Sequence, residues 1–133
     1  MRSFRLFLFG LIAFLPLACK PSPPALAKVR GIVTVNGSPL RRGTIVFAPD
    51  RQRGARGDVA HAVIADDGSY ELATTQGPGA APGWHRITVA PPADAGDLIE
   101  RMDKYRYPES SGLTREVKPN ESNEFEIRIV LEP

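Results

Sequence analysis

From about residue 28 onward, apolar and polar residues alternate in short runs, and clusters of turn-forming residues separate the runs. Val29 to Val35 puts Val29, Gly31, Val33 and Val35 on one side, the period-2 pattern of a strand. Asn36-Gly37-Ser38-Pro39 reads as a turn, with Asn-Gly suited to positive φ. Thr44 to Ala48 predicts a second strand, closed by Pro49, and residues 50–57 a polar, basic loop. Val59 to Ala65 predicts a third strand. Asp66-Asp67-Gly68-Ser69 is expected to close a hairpin into a fourth, Tyr70 to Ala73. After a loop over 74–83 comes a fifth, Trp84 to Ala90, stopped by Pro91-Pro92.

Residues 93–104 read as one short helix or an irregular excursion, and Tyr105 to Leu113 as a connection rich in Pro, Gly and Ser. Thr114 to Val117 predicts a sixth strand. In the last, Phe125, Ile127, Ile129 and Leu131 alternate with Glu126, Arg128 and Val130, so one face is expected on the core. Seven short strands parted by turns predict an all-β, seven-stranded antiparallel Greek-key sandwich over 28–133. The expected core is Val33, Val35, Val46, Val63, Tyr70, Leu72, Ile87, Val89, Phe125, Ile127 and Ile129.

The first residues follow another pattern. Arg2 and Arg5 precede an unbroken apolar run over 6–15, which Pro16 ends. The run is too short to span a bilayer and matches the n-region and h-region of a secretory signal. Two cleavage points fit. Cutting before Cys19, after Leu17-Ala18, would leave a thiol for lipid attachment, although Pro16 stands where a lipobox usually has Leu. Cutting after Ala25-Leu26-Ala27 obeys the small-x-small rule. The signal is therefore 1–18, or reaches to 27, and 19–27 is a Pro-rich tether or a long c-region. The expected product is an exported protein, either anchored in a membrane through Cys19 or secreted.

Charge changes little in this picture. Of the 17 Lys+Arg, Arg2 and Arg5 belong to the signal, and the remaining 15 balance 15 Asp+Glu. A neutral domain has no electrostatic footprint for nucleic acid, so none is expected as a partner. Cys19 is the single cysteine, which excludes an internal disulfide and a cysteine-based zinc site.

Several of these motifs, taken in order, resemble a known family. Gly31-x-Val33-x-x-Asn36-Gly37-x-Pro39-Leu40, followed by Thr44-x-Val46-x-Ala48-Pro49, resembles the opening of carboxypeptidase regulatory-like, or transthyretin-like, domains. Asp66-Asp67-Gly68-Ser69-Tyr70-x-Leu72 resembles their turn and next strand, and Pro82-Gly83-Trp84-His85-x-Ile87-x-Val89 the strand after it. The tail from Lys104-Tyr105 to Glu116-Val117 is similar to small exported, often lipidated planctomycete proteins. The resemblance spans about 28 to 131 and implies a prealbumin-like sandwich. It implies little about activity, because one fold hosts many roles.

No catalytic, cofactor or metal residues are assigned. His61 and His85 lack a third ligand or an orienting carboxylate and read as strand residues. Transthyretin-like hydroxyisourate hydrolases, the enzymatic alternative, end in Tyr-Arg-Gly-Ser. This chain ends Ile-Val-Leu-Glu-Pro. Asp66-Asp67-Gly68-Ser69 lacks the spaced oxygens of a calcium loop. Arg56-Gly57-Asp58 is read as a chance tripeptide, and Arg41, Arg42, Arg51, Arg53 and Arg56 as a solvated basic stretch.

The expectation is a noncatalytic envelope or secreted module acting through protein or surface contacts, with an envelope protein or a polysaccharide as partner. The alternative is a carbohydrate-binding module. Trp84, Tyr105 and Tyr107 are its candidate contacts, with core packing the competing role for Trp84.

Overall fold

The computed structural model describes residues 25–133, with two isolated positions, Ala13 and Pro16, before them. The rest of the expected signal segment, Cys19 included, lies outside the described residues.

Ten strand segments follow one another: β1 (Val29–Val35), β2 (Ser38–Pro39), β3 (Thr44–Pro49), β4 (Ala60–Val63), β5 (Ser69–Glu71), β6 (Ala73–Thr74), β7 (Gly77–Pro78), β8 (Gly83–Ala90), β9 (Leu113–Val117) and β10 (Asn123–Ile129). Two short helices, α1 (Leu98–Arg101) and α2 (Pro108–Ser111), lie between β8 and β9 with a 3₁₀ turn, Asp103–Arg106, between them. Two sheets result. In the smaller, β1 is flanked by β10 on one side and by β2 and β5 on the other; the larger runs β7-β6-β4-β3-β8-β9. The described residues thus form an all-β sandwich.

Each expected strand span overlaps an observed one, but the count and the pairing differ from expectation. Three two-residue segments add to the spans read from the pattern. The wholly antiparallel expectation is corrected by the first and last strands, which pair in parallel from Val29↔Asn123 to Val35↔Ile129. Gly31 makes the close register possible, since a Cβ there would lie 1.8 Å from the Phe125 carbonyl oxygen.

Turn chemistry decides how the chain moves between sheets. Asn36 (φ 49°) and Gly37 (φ 84°) both sit in the left-handed region and close a two-residue hairpin between β1 and β2. Asn36 also ties down the C-terminal end of the chain, because its Oδ1 accepts from the Leu131 amide at 2.8 Å. The expected hairpin at Asp66 to Ser69 is corrected too. The turn forms, with Asp67 Oδ1 accepting from the Ser69 amide at 2.9 Å, but it hands the chain from β4 in the larger sheet to β5 in the smaller.

Alternation places Ile45, Phe47, Ala60, Ala62, Ile64, Ile87 and Val89 on the core side of the larger sheet, facing Val29, Val33, Ile127 and Ile129. Two expected core residues are therefore corrected. Val46 is half-buried on the outer face between Ile45 and Phe47, and Val63 is 74% exposed while its neighbours Ala62 and Ile64 are buried. Val35 and Phe125 are half-buried against the core instead of within it. The excursion after β8 is three short turns, and it lends Met102 and Tyr105 to the core.

One polar side chain is built into the fold. Asn123 is 5% exposed; its Oδ1 accepts from the Lys118 amide at 2.8 Å, and its Nδ2 donates to the Lys118 carbonyl at 3.1 Å. A buried amide satisfied in this way holds the turn into β10 closed.

Candidate functional site

The site grows from one end of β8. Along this strand His85, Ile87 and Val89 face the core, so Trp84 and Arg86 lie on the opposite, outer face. Strand β3 runs beside it and ends at Pro49, and the next amide, of Asp50, donates to the Trp84 carbonyl at 2.8 Å. Asp50 then caps a 3₁₀ turn, Arg51–Arg53, by accepting from the Gln52 amide at 3.1 Å. Gly54 ends the turn in the left-handed region (φ 77°).

That cap buries a carboxylate and sets two arginines against it. Asp50 Oδ2 lies 3.4 Å from Arg86 Nε and 3.7 Å from Arg53 Nε. Arg86 Nη2 donates to Gln52 Oε1 at 2.9 Å. The Arg53 guanidinium lies 4.4 Å over the Trp84 ring, a cation–π contact. Pro108, Glu109, Gly112, Leu113 and Thr114 face this cluster across a groove of ≈ 520 Å³. A broader depression of ≈ 840 Å³ lies over Gly31, Tyr70 and Phe125. Arg30 and Glu124 on its lining pair at 2.6 Å, and Glu126 pairs with Arg128 beside it at 2.9 Å.

The three aromatics expected to contact a saccharide have different surroundings. Tyr105 is 8% exposed and packs in the core, with Lys104 Nζ 4.9 Å from its ring. It cannot serve as an open stacking platform, which corrects its assignment. Tyr107 is half exposed, next to the groove residue Pro108. Trp84 is partly exposed and shares its face with Arg53. Arg86 and Asp50 escaped the sequence reading because 36 residues separate them. The one local signal was an Asp placed directly after a strand-ending Pro, a capping position.

The histidines are not brought together. His61 is exposed on the outer face of β4, whereas His85 is 1% exposed on the core side of β8. His85 Nε2–H donates to the Ala81 carbonyl at 2.7 Å, which leaves Nδ1 as a buried acceptor without a partner among the described residues. Burial holds its pKa below the ordinary value, against the opposing pull of that carbonyl. Burial likewise raises the Tyr70 hydroxyl, which donates to the Phe125 carbonyl at 2.9 Å. Among the described residues, no three His, Cys, Asp or Glu side chains converge as a metal site.

The class these features define is an all-β sandwich with a polar groove at one end of its larger sheet. No protein-family model matches the chain. No curated protein matches it at a significant level. Among solved structures, it is similar to a DUF3823 family protein from Parabacteroides merdae, at 16% identity and a TM-score of 0.44 over 84% of this chain and 48% of that one. The chain thus spans about half the length of that structure.

Proposed function

We propose that the chain is an exported, noncatalytic module of the cell envelope, a prealbumin-like Greek-key sandwich of the carboxypeptidase regulatory-like kind, working through contacts with an envelope protein or polysaccharide. The observation that carries this reading is the start of the sequence: Arg2 and Arg5, the apolar run over 6–15, and a small residue directly before the single cysteine. The arrangement of the histidines supports a noncatalytic role, because His61 and His85 point from opposite faces of one sheet and do not meet on one reacting atom.

Ala27 supports lipid anchoring at Cys19 over cleavage after Ala27. It is 4% exposed, and its amide and carbonyl are each hydrogen-bonded to Ala80 at 2.9 Å. A mature chain beginning at Lys28 would lose both bonds and leave the Ala80 amide without its partner, a cost of about 1–3 kcal/mol for a buried group. A chain beginning at Cys19 keeps them, and its residues 20–26 form the tether. The test is Cys19→Ala expressed in the native host. The wild-type protein should partition with membranes and the variant with the soluble envelope fraction. Equal membrane association of both would contradict the anchor.

A further inference from the structure

Arg86 is held in place from one side only. A guanidinium has five N–H donors. One, on Nε, meets Asp50, and one, on Nη2, meets Gln52. The other three have no partner among the described residues, and the side chain is 33% exposed in the groove. Asp50 is 6% exposed, so withdrawing Arg86 would weaken the pairing of a buried carboxylate. The cation is therefore preorganised, with donor capacity to spare.

The surroundings narrow what it can take. Arg53 stands beside it, but Glu109 lines the same groove. A polyanion would bring charge against Glu109, and a neutral ligand would leave the free donors of Arg86 without an anionic acceptor. A ligand with one carboxylate and several hydroxyls satisfies both walls. The carboxylate accepts from Arg86 in a charge-assisted pair, and hydroxyls donate to Glu109. Tyr107 is half exposed and directly precedes the groove residue Pro108, so its ring is within reach of a ligand that extends past the groove. The groove volume, ≈ 520 Å³, is within the usual range of small-ligand sites.

We propose that the groove between the Arg51–Arg53 turn and the Pro108–Thr114 segment binds a carboxylated saccharide of the uronic-acid type, with Arg86 holding the carboxylate and Tyr107 packing on the sugar ring. This does not depend on export or on lipidation of Cys19. The probes are galacturonate, which carries one carboxylate, its methyl ester and inorganic phosphate, each titrated into the isotope-labelled protein and followed by the amide signals of Arg86, Glu109 and Gly112. Galacturonate should shift these signals. Arg86→Gln should weaken its binding about 10- to 100-fold, the effect of losing one charged hydrogen-bonding partner. Because that change also disturbs Asp50, Tyr107→Ala provides a second reading at an exposed ring, and it too should weaken binding. No shift with galacturonate, or equal binding of the methyl ester, would overturn the proposal. So would shifts confined to the Arg30–Glu124 depression, or phosphate binding as tight as that of the sugar acid, which would make the groove a general anion site.

Discussion

His85 sits in the core with its ring 5.8 Å from that of Phe47, and its burial has a consequence for stability. Desolvation lowers its folded-state pKa below 6.5, and the Ala81 carbonyl does not restore it. The unfolded chain therefore takes up a proton first as pH falls. The contribution is fully present above 6.5 and is lost as pH drops below that value toward the depressed folded pKa. Urea midpoints of the wild type should fall between about pH 7.5 and about pH 5.5, at no more than about 1.4 kcal/mol per unit from this one proton. His85→Gln should flatten that slope. An unchanged slope in the variant would assign the dependence to other groups. Gly31 makes a second residue-scale case. In Gly31→Ala the new methyl would collide with the Phe125 carbonyl, so β1 and β10 must separate. A loss above about 4 kcal/mol is expected in chemical denaturation, within the range reserved for broken backbone packing. A loss comparable to an ordinary surface change would show that the two strands pair less closely.

Strand β10 tests the pattern at the scale of an element. Ile127 is fully buried, and Arg128 is exposed and paired with Glu126. Ile127→Ala should cost about 2–5 kcal/mol, a cavity term included. Arg128→Ala should leave the denaturation midpoint where it was, and the reverse order would mean the strand's register is off by one. The position of this strand was legible because its parity is unambiguous: apolar at 125, 127 and 129, charged at 124, 126 and 128. Its partner was not legible, because alternation says which face is buried and nothing about which strand lies alongside. Strand β3 shows where the pattern fails. Ile45, Val46, Phe47 and Ala48 are apolar at both parities, so Val46 and Phe47 compete for the core, and the larger ring takes it. In β4 the parity is disguised by small residues: Ala60 and Ala62 are buried while the larger Val63 faces out. The groove was the least legible feature. Tyr107, next to it in the chain, could be named from sequence, but the groove's floor depends on Asp50, at the end of β3, reaching Arg86 on the neighbouring β8.

At the scale of the whole molecule, an N-terminal segment with the sequence pattern of an export signal precedes a sandwich that Ala27 joins through its bridge to Ala80. The bridge to Ala80 ties Ala27 into the sandwich, and the sequence of 20–26, KPSPPAL, has the length and Pro content that the proposed tether to Cys19 requires. Anchoring would also concentrate a weakly binding groove at the envelope, where residence at a surface raises effective concentration. The most direct test is the intact mass of the protein isolated from its native host. The account predicts a chain that begins at Cys19 and carries a diacylglyceryl group; a chain that retains Met1, or one that begins at Lys28, would contradict it.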